Sequence, residues 1–383
     1  MHVYTPCNNL RLAVQHMLVL LLLSGLLVSC AGKKGNQERL WTPLGPEVSL
    51  HEGPESFVKS LAPGNQELES WKSLAEYVRN SASYVNRKPQ SLEATRRNGR
   101  RITWGELANS LQRLREILPQ LDANPRLLTD NFEWVPIHGG IDYSGYYSPV
   151  VRASRVRKAG YEHPIYKKPP ELSSLRAKGK KYHDRCTIEC GKVLAGRGLE
   201  LAWAADPVDV FFLAIQGSGI LQYDDGTRDY INYDGQNGHK YKSSGRIMRE
   251  KGLLARGDIF EQRKWLKEHP ERVEEILHDN PSFVFFKLSK QGPTGAMGFE
   301  VQDWVSLATD RSVIPLGSIV AYGVNIPDAT RTSQPLRGIG LAQDVGGAIK
   351  RNRIDIYCGT SERSNYVASF LDAKGPAWIL LAK

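Results

Sequence analysis

Two periodicities divide the chain. In its first third, apolar residues recur at helical spacing: Leu68, Trp71, Leu74, Ala75 and Val78 form one stripe, and Leu107, Leu111, Leu114 and Leu118 form a second. Thr103-x-x-Glu106 opens the second stripe as a capping box, in which each residue's side chain satisfies a free backbone N–H at the helix start. Both stripes are expected to pack into a core. From about Tyr143 onward the pattern changes to short apolar or alternating runs broken by Gly, Pro, Asn and Asp, which predicts a mainly β region. Expected strands cover 150–156, 199–204, 208–215, 283–288, 318–322, 338–342, 353–357 and 377–381. A helical interruption is expected over 258–278, with Asp258 as N-cap and Pro270 in the first turn of a second helix. No fixed-period repeat is visible, which disfavours a solenoid or propeller.

A different pattern marks the N-terminus, where residues 17–28 read MLVLLLLSGLLV and are followed by Ser29 and Cys30. This run is too short to span a bilayer and fits a signal-peptide core. The sequence Leu27-Val28-Ser29-Cys30 resembles a bacterial lipobox, in which the cysteine receives lipid after cleavage. Several acyl chains hold a protein at a membrane where one would not. On this reading residues 1–29 are a leader and 30–40 a polar tether, with the globular part starting near Trp41. Removing the leader and lipidating Cys30 leaves Cys186, Cys190 and Cys358. The Cys186-x3-Cys190 spacing is neither the usual zinc nor the usual redox spacing, so structural or optionally paired thiols are expected and no metal site.

With 383 residues, 41% hydrophobic and 24% charged, the chain has the composition of a folded two-domain protein. Its 51 Lys and Arg against 41 Asp and Glu give +10, an excess spread along the whole length. Arg96, Arg97, Arg100 and Arg101 cluster, but without the interleaved aromatics of a single-strand nucleic-acid track, so a solvated loop is expected and no nucleic-acid partner.

The densest chemistry lies between Gly338 and Gly359. Asp344 ends an apolar run and precedes Gly346 and Gly347, where a tight turn or a close approach to ligand is possible. Asp355 sits between Ile354 and Ile356, in a strand whose alternation places Arg353, Asp355 and Tyr357 on one face. Desolvation would raise such a carboxyl and suit it to acid catalysis, whereas pairing with Arg would lower it. From these residues alone, catalysis and a structural ion pair stand equal. GYYSP at 145–149 and QGSG at 216–219 offer aromatic faces, hydroxyls and an amide of the kind that suit sugars. The glycine-rich loops lack the lysine of a nucleotide-binding P-loop.

Taken in order, GYYSP at 145–149, QGSG at 216–219, NGHKY at 237–241, NPSFVFF at 280–286, TDRSVIPLG at 309–317, and QDVGGAIK with RIDIYCG within 343–359 resemble the membrane-bound lytic murein transglycosylase A family. Asp310, Asp344 and Asp355 match its three-aspartate (3D) region, at about 305–360. The resemblance implies a mainly β fold: a double-psi β-barrel catalytic domain from 41–149 and 283–383, a second β domain inserted at 150–282, a few flanking helices, and a glycan groove between the domains. It implies a peptidoglycan lytic exotransglycosylase that cleaves non-hydrolytically between N-acetylmuramic acid and N-acetylglucosamine, with chain-end against internal cleavage left open.

By motif position, Asp355 takes the general acid/base role, Asp344 that of a supporting carboxylate and Asp310 a third, structural place. Tyr146, Tyr147, Gln216, Gly217, Ser218, Gly219, Lys240 and Tyr241 become glycan contacts. No metal or cofactor is expected. The expected partners are glycan strands and, through Cys30, a membrane; Ala31 in place of Asp favours the periplasmic face of an outer membrane. A monomer is expected, with a cell-wall synthesis or division complex as an open partner. The rival readings are a lysozyme-type hydrolase and a non-catalytic peptidoglycan-binding lipoprotein.

Overall fold

The computed structural model describes residues 42–43, 46–330 and 332–383. The leader at 1–29, Cys30, the tether at 30–40 and Trp41 lie outside the described residues. The strands used below, in chain order, are β1 Glu93–Arg97, β2 Arg100–Thr103, β3 Phe132–Pro136, β4 Ile141–Tyr146, β5 Val150–Ser154, β6 His163–Tyr166, β7 Glu200–Ala204, β8 Ser218–Tyr223, β9 Arg228–Gln236, β10 Val284–Ser289, β11 Ser306–Thr309, β12 Ile319–Pro327, β13 Thr332–Asp344, β14 Arg353–Tyr357, β15 Ala373–Gly375 and β16 Ala377–Ala382.

Two sheets carry the architecture, which is mainly β with some helices. In the main sheet the order runs β15-β4-β14-β11-β13-β12-β16-β3. A second, six-stranded sheet runs β10-β9-β8-β5-β7-β6. β10 closes an edge of this second sheet, pairing antiparallel with β9. The expected boundary, which places residues 283–383 with the catalytic segment, therefore puts this strand on the wrong side. Phe285 and Phe286 are buried, and an apolar run of this kind carries no information about which sheet it enters.

The capping box at Thr103 and Glu106 forms as expected and starts the helix Trp104–Leu121, with Leu107, Leu111, Leu114 and Leu118 buried. Ser110 on this helix accepts a hydrogen bond from the Ala382 N–H at 2.9 Å, tying the helix to β16. Asp258 caps the helix Ile259–Glu268 and Pro270 opens the turn before the helix Val273–His278, again as expected.

Two local expectations fail, each for a readable reason. Residues 208–215, expected as a strand, lie in the helix Pro207–Gln216. Asp206 accepts from the Val208 N–H at 2.8 Å and Pro207 occupies the first turn, so a cap and a pre-set φ outweigh the β preference of the apolar run. The arginine cluster, expected as a solvated loop, forms the hairpin β1–β2. Its turn is Asn98-Gly99, with φ of 51° and 80°, a pair suited to left-handed turn positions. Arg96 and Arg100 pair there with Glu93 and Glu133.

The main core is dense around Trp71, Trp304, Tyr143 and Tyr322, all fully buried. Trp304 has a φ of 62° despite its bulk. The buried Gln66 donates to the Trp304 carbonyl at 2.7 Å and exchanges bonds with both backbone groups of Ile339 in β13. The amide thus satisfies the polar backbone at the left-handed turn that feeds β11.

Candidate active site

Ile354 and Ile356 of β14 point into the core with no exposure, while Arg353, Asp355 and Tyr357 occupy the opposite face. β14 lies between β4, to which it is parallel, and β11, to which it is antiparallel. In this register Asp355 is opposite Ser144 on one side and Ala308 on the other. The Ser144 hydroxyl donates to Asp355 Oδ1 at 2.7 Å. Burial pushes the Asp355 carboxyl up to about 6, against the opposing pull of Ser144 and the Arg353 guanidinium; the neighbouring Asp344 raises it further.

Asp344 ends β13, and its carboxylate is held by three donors. The Tyr146 hydroxyl donates to Oδ2 at 2.9 Å, while the Ala296 and Val345 N–H groups donate to Oδ1 at 2.9 and 2.8 Å. Burial raises this carboxyl to about 6 as well, and the three donors act against that rise. Donors stabilise the ionised form. The pair is asymmetric in its partners, with three donors on Asp344 against one hydroxyl and the Arg353 guanidinium at Asp355, while burial raises both carboxyls to about 6.

Behind the carboxyls the rings of Tyr146 and Tyr357 lie 5.1 Å apart. Tyr357 is bonded through its hydroxyl to Ser148 at 3.1 Å, and Ser148 to Ser218 at 3.0 Å. Gln216 Oε1 accepts from the Tyr147 N–H at 3.0 Å. GYYSP and QGSG are thus brought together, and their polar groups largely satisfy each other across the junction of the two sheets. Gly217 ends the helix with a φ of 82°, and a Cβ on Gly219 would come within 2.7 Å of the Pro149 carbonyl. A Cβ on Gly145 would meet Cys358 Sγ at 2.9 Å. These two glycines serve close packing.

Asp310 lies apart from the pair. Its carboxylate accepts from the Ser312 N–H and hydroxyl and from the Arg351 N–H at 2.8 Å, bonds that hold its pKa down. Lys240 and Tyr241 are exposed in the loop after β9 and touch neither carboxyl. A cavity of about 530 Å³ at the start of β4 and β14 is lined by Asp142, Lys350, Arg351, Asn352, Arg353 and Lys374, and neither Asp355 nor Asp344 lines it. The sequence reading missed Ser144 and Ala296, and it held Ser148 only as a hydroxyl within GYYSP. Ser144 shares a strand face with Tyr146 two residues on, but its pairing with Asp355 crosses 211 positions and leaves no local trace.

Two buried carboxyls with raised pKa values, one held by three donors and the other by one, are suited to acid–base chemistry. Comparison with known proteins agrees. Residues 142–287 match the MltA specific insert domain and residues 305–381 match the 3D domain. The second match reaches past residue 360 to the last strand. Membrane-bound lytic murein transglycosylase A of Escherichia coli K12 is 34% identical over 250 residues, and that of Vibrio cholerae 33% over 249. Each alignment covers 63% of this chain and 66% of the relative, just under two thirds of its length. Among solved structures, the membrane-bound lytic murein transglycosylase of Agrobacterium tumefaciens superposes with a TM-score of 0.70 at 26% identity, covering 85% of this chain and 96% of that one. E. coli MltA with bound chitohexaose gives 0.66 at 27%, covering 81% and 90%. The chain belongs to the membrane-bound lytic murein transglycosylase A family.

Proposed function

We propose that this protein is a lytic transglycosylase that cleaves the β-1,4 bond between N-acetylmuramic acid and N-acetylglucosamine in peptidoglycan and leaves 1,6-anhydromuramoyl ends. The names of its relatives support the reaction, and the chitohexaose-bound relative supports a β-1,4-linked amino-sugar chain as ligand. The observation that carries the reading is the asymmetry of the two carboxyls.

Asp355 gives its proton to the glycosidic oxygen as the bond to C1 of the muramoyl unit breaks, so that N-acetylglucosamine leaves as an alcohol. The sugar's own C6 hydroxyl then bonds to C1, and Asp355, now a carboxylate, takes the hydroxyl proton. No water is consumed and the acid is regenerated. Asp344 supplies the charge that keeps Asp355 protonated before the step. A hydrolase of the lysozyme type needs a second carboxylate to attack or to activate water, and Asp344 is engaged by three donors. Asp310 is assigned to holding the loop at Arg351.

The same reading assigns the main sheet to a double-psi barrel and the second sheet to the opposite wall of a glycan groove. Tyr147 and the QGSG turn lie at their junction, with Lys240 and Tyr241 on the outer rim. Lipidated Cys30 holds the protein to the periplasmic face of an outer membrane, where it acts as a monomer. Among the described residues no helix is long and apolar enough to cross a membrane.

Mass analysis of fragments released from purified sacculi tests the reaction. Anhydromuramoyl products with no added water are expected. Fragments carrying one added water would make the enzyme a hydrolase, and no fragments would leave a binding protein.

A further inference from the structure

We propose that Cys186, Cys190 and His278 form a binding site for one thiophilic divalent cation of the zinc type, which clamps the helix Arg185–Glu189 to the helix Val273–His278. The spacing of the cysteines gave no reason to expect this. Folding supplies the third ligand from 88 positions away.

Cys186 and Cys190 are four residues apart at one turn of a helix, so their side chains stack on one face. Their Sγ atoms lie 3.2 Å apart, and Cys190 Sγ is 3.3 Å from His278 Nδ1. One ligand atom from each of the three residues lies within 4.8 Å of the others. Zinc bonds of ~2.3 Å to sulfur and ~2.0–2.1 Å to nitrogen, at tetrahedral angles, put two sulfurs ~3.8 Å apart and sulfur and nitrogen ~3.5 Å apart. To receive the ion the two sulfurs open by about half an ångström, while Cys186 and His278, within 4.8 Å of each other, settle at ~3.5 Å.

The surroundings orient the site. His278 Nε2 is bonded to Glu189 Oε2 at 2.9 Å, which leaves Nδ1 facing the sulfurs. A carboxylate on the far nitrogen fixes the tautomer and makes the ring a better ligand. Glu189 is itself held by Arg185 at 2.7 Å, and the buried Arg185 guanidinium also donates to the carbonyls of Asn280 and Ser282. Both thiols are exposed, so an ion can enter. Two sulfurs and an imidazole select a soft or borderline cation over magnesium or calcium. On binding, each thiol gives its proton to solvent and its electron pair to the metal, with a fourth position left to water. The ligands come from the segment that matches the insert, away from the sheet that carries Asp355, so the ion has a structural role and no part in glycan cleavage.

The test uses the full chain, reduced and metal-free, titrated anaerobically with cobalt(II). One equivalent should bind, with near-ultraviolet sulfur-to-cobalt charge transfer and the visible bands of a tetrahedral ion. Zinc should displace the cobalt and raise the melting temperature. Cys186→Ser, Cys190→Ser and His278→Ala should each lose the charge-transfer signal or weaken it sharply while keeping glycan cleavage. Failure of the wild-type chain to bind one equivalent would overturn the proposal, as would binding that survives all three substitutions. A Cys186–Cys190 disulfide in the unreduced protein that zinc does not prevent would mark the thiols as a redox pair instead.

Discussion

Replacing Asp355 with Asn removes the ionisable group while keeping the shape and the acceptor for Ser144. The fold raises this carboxyl from 3.8 to about 6 because burial disfavours its charge. A folded-state pKa above the unfolded one means that the native protein holds the proton more tightly. The associated stability is complete below 3.8, declines as pH rises, and is gone above about 6. A difference of about two units corresponds to roughly 3 kcal/mol, an upper figure because Asp344 titrates in the same range. Asn carries no charge at any pH. Denaturant unfolding at about pH 4 should therefore show little difference between Asp355→Asn and the parent, while at about pH 7.5 the variant should be more stable by roughly 1–3 kcal/mol. Its turnover on sacculi should fall by ~10²- to 10⁴-fold, the loss of a general acid–base group. A variant less stable than the parent at about pH 7.5, or equally favoured at both pH values, would refute the claim that the fold penalises this charge. Near-normal release of anhydromuropeptides would refute its role as the acid.

Asp344→Asn leaves the proton donor in place but removes the charge that raises Asp355, so the alkaline limb of the pH–rate profile should move to lower pH with a milder loss of turnover. Arg353→Ala should move that limb to higher pH, since the guanidinium pulls the Asp355 carboxyl down; an unchanged profile would remove Arg353 from the site's electrostatics. Tyr146→Phe takes one of three donors from Asp344 and should cost roughly 1.5–3 kcal/mol of stability where Asp344 is ionised, measurable by denaturant unfolding. Gln216→Ala strands the Tyr147 N–H and should cost ~1–3 kcal/mol of stability. Weaker binding of chitohexaose without that loss would instead place Gln216 on the ligand.

What the sequence reveals is local. RIDIY forms the strand its alternation predicts, with both isoleucines in the core and Asp355 on the working face. The capping box at Thr103 and the cap at Asp258 are legible because their hydrogen bonds close within three residues. The helix at Pro207–Gln216 was hidden because its cap precedes a run of residues that also suits a strand. The Asn98-Gly99 turn was present in the sequence but masked by the arginines around it. Partners across the sheets are not legible at all. Nothing near Asp355 announces Ser144, and nothing near Cys190 announces His278.

The pairing of β4 with β14 also sets when the enzyme can exist. Ser144 and Tyr146 are made early and their carboxylate partners more than 190 residues later, so an emerging chain holds only half of this cluster. Closing so long a loop is slow, and β16, at the very end of the chain, pairs with both β12 and β3. The main sheet therefore closes only once β16 is present. A protein truncated anywhere before β14 lacks Asp355, and its Ser144 has no carboxyl to hold.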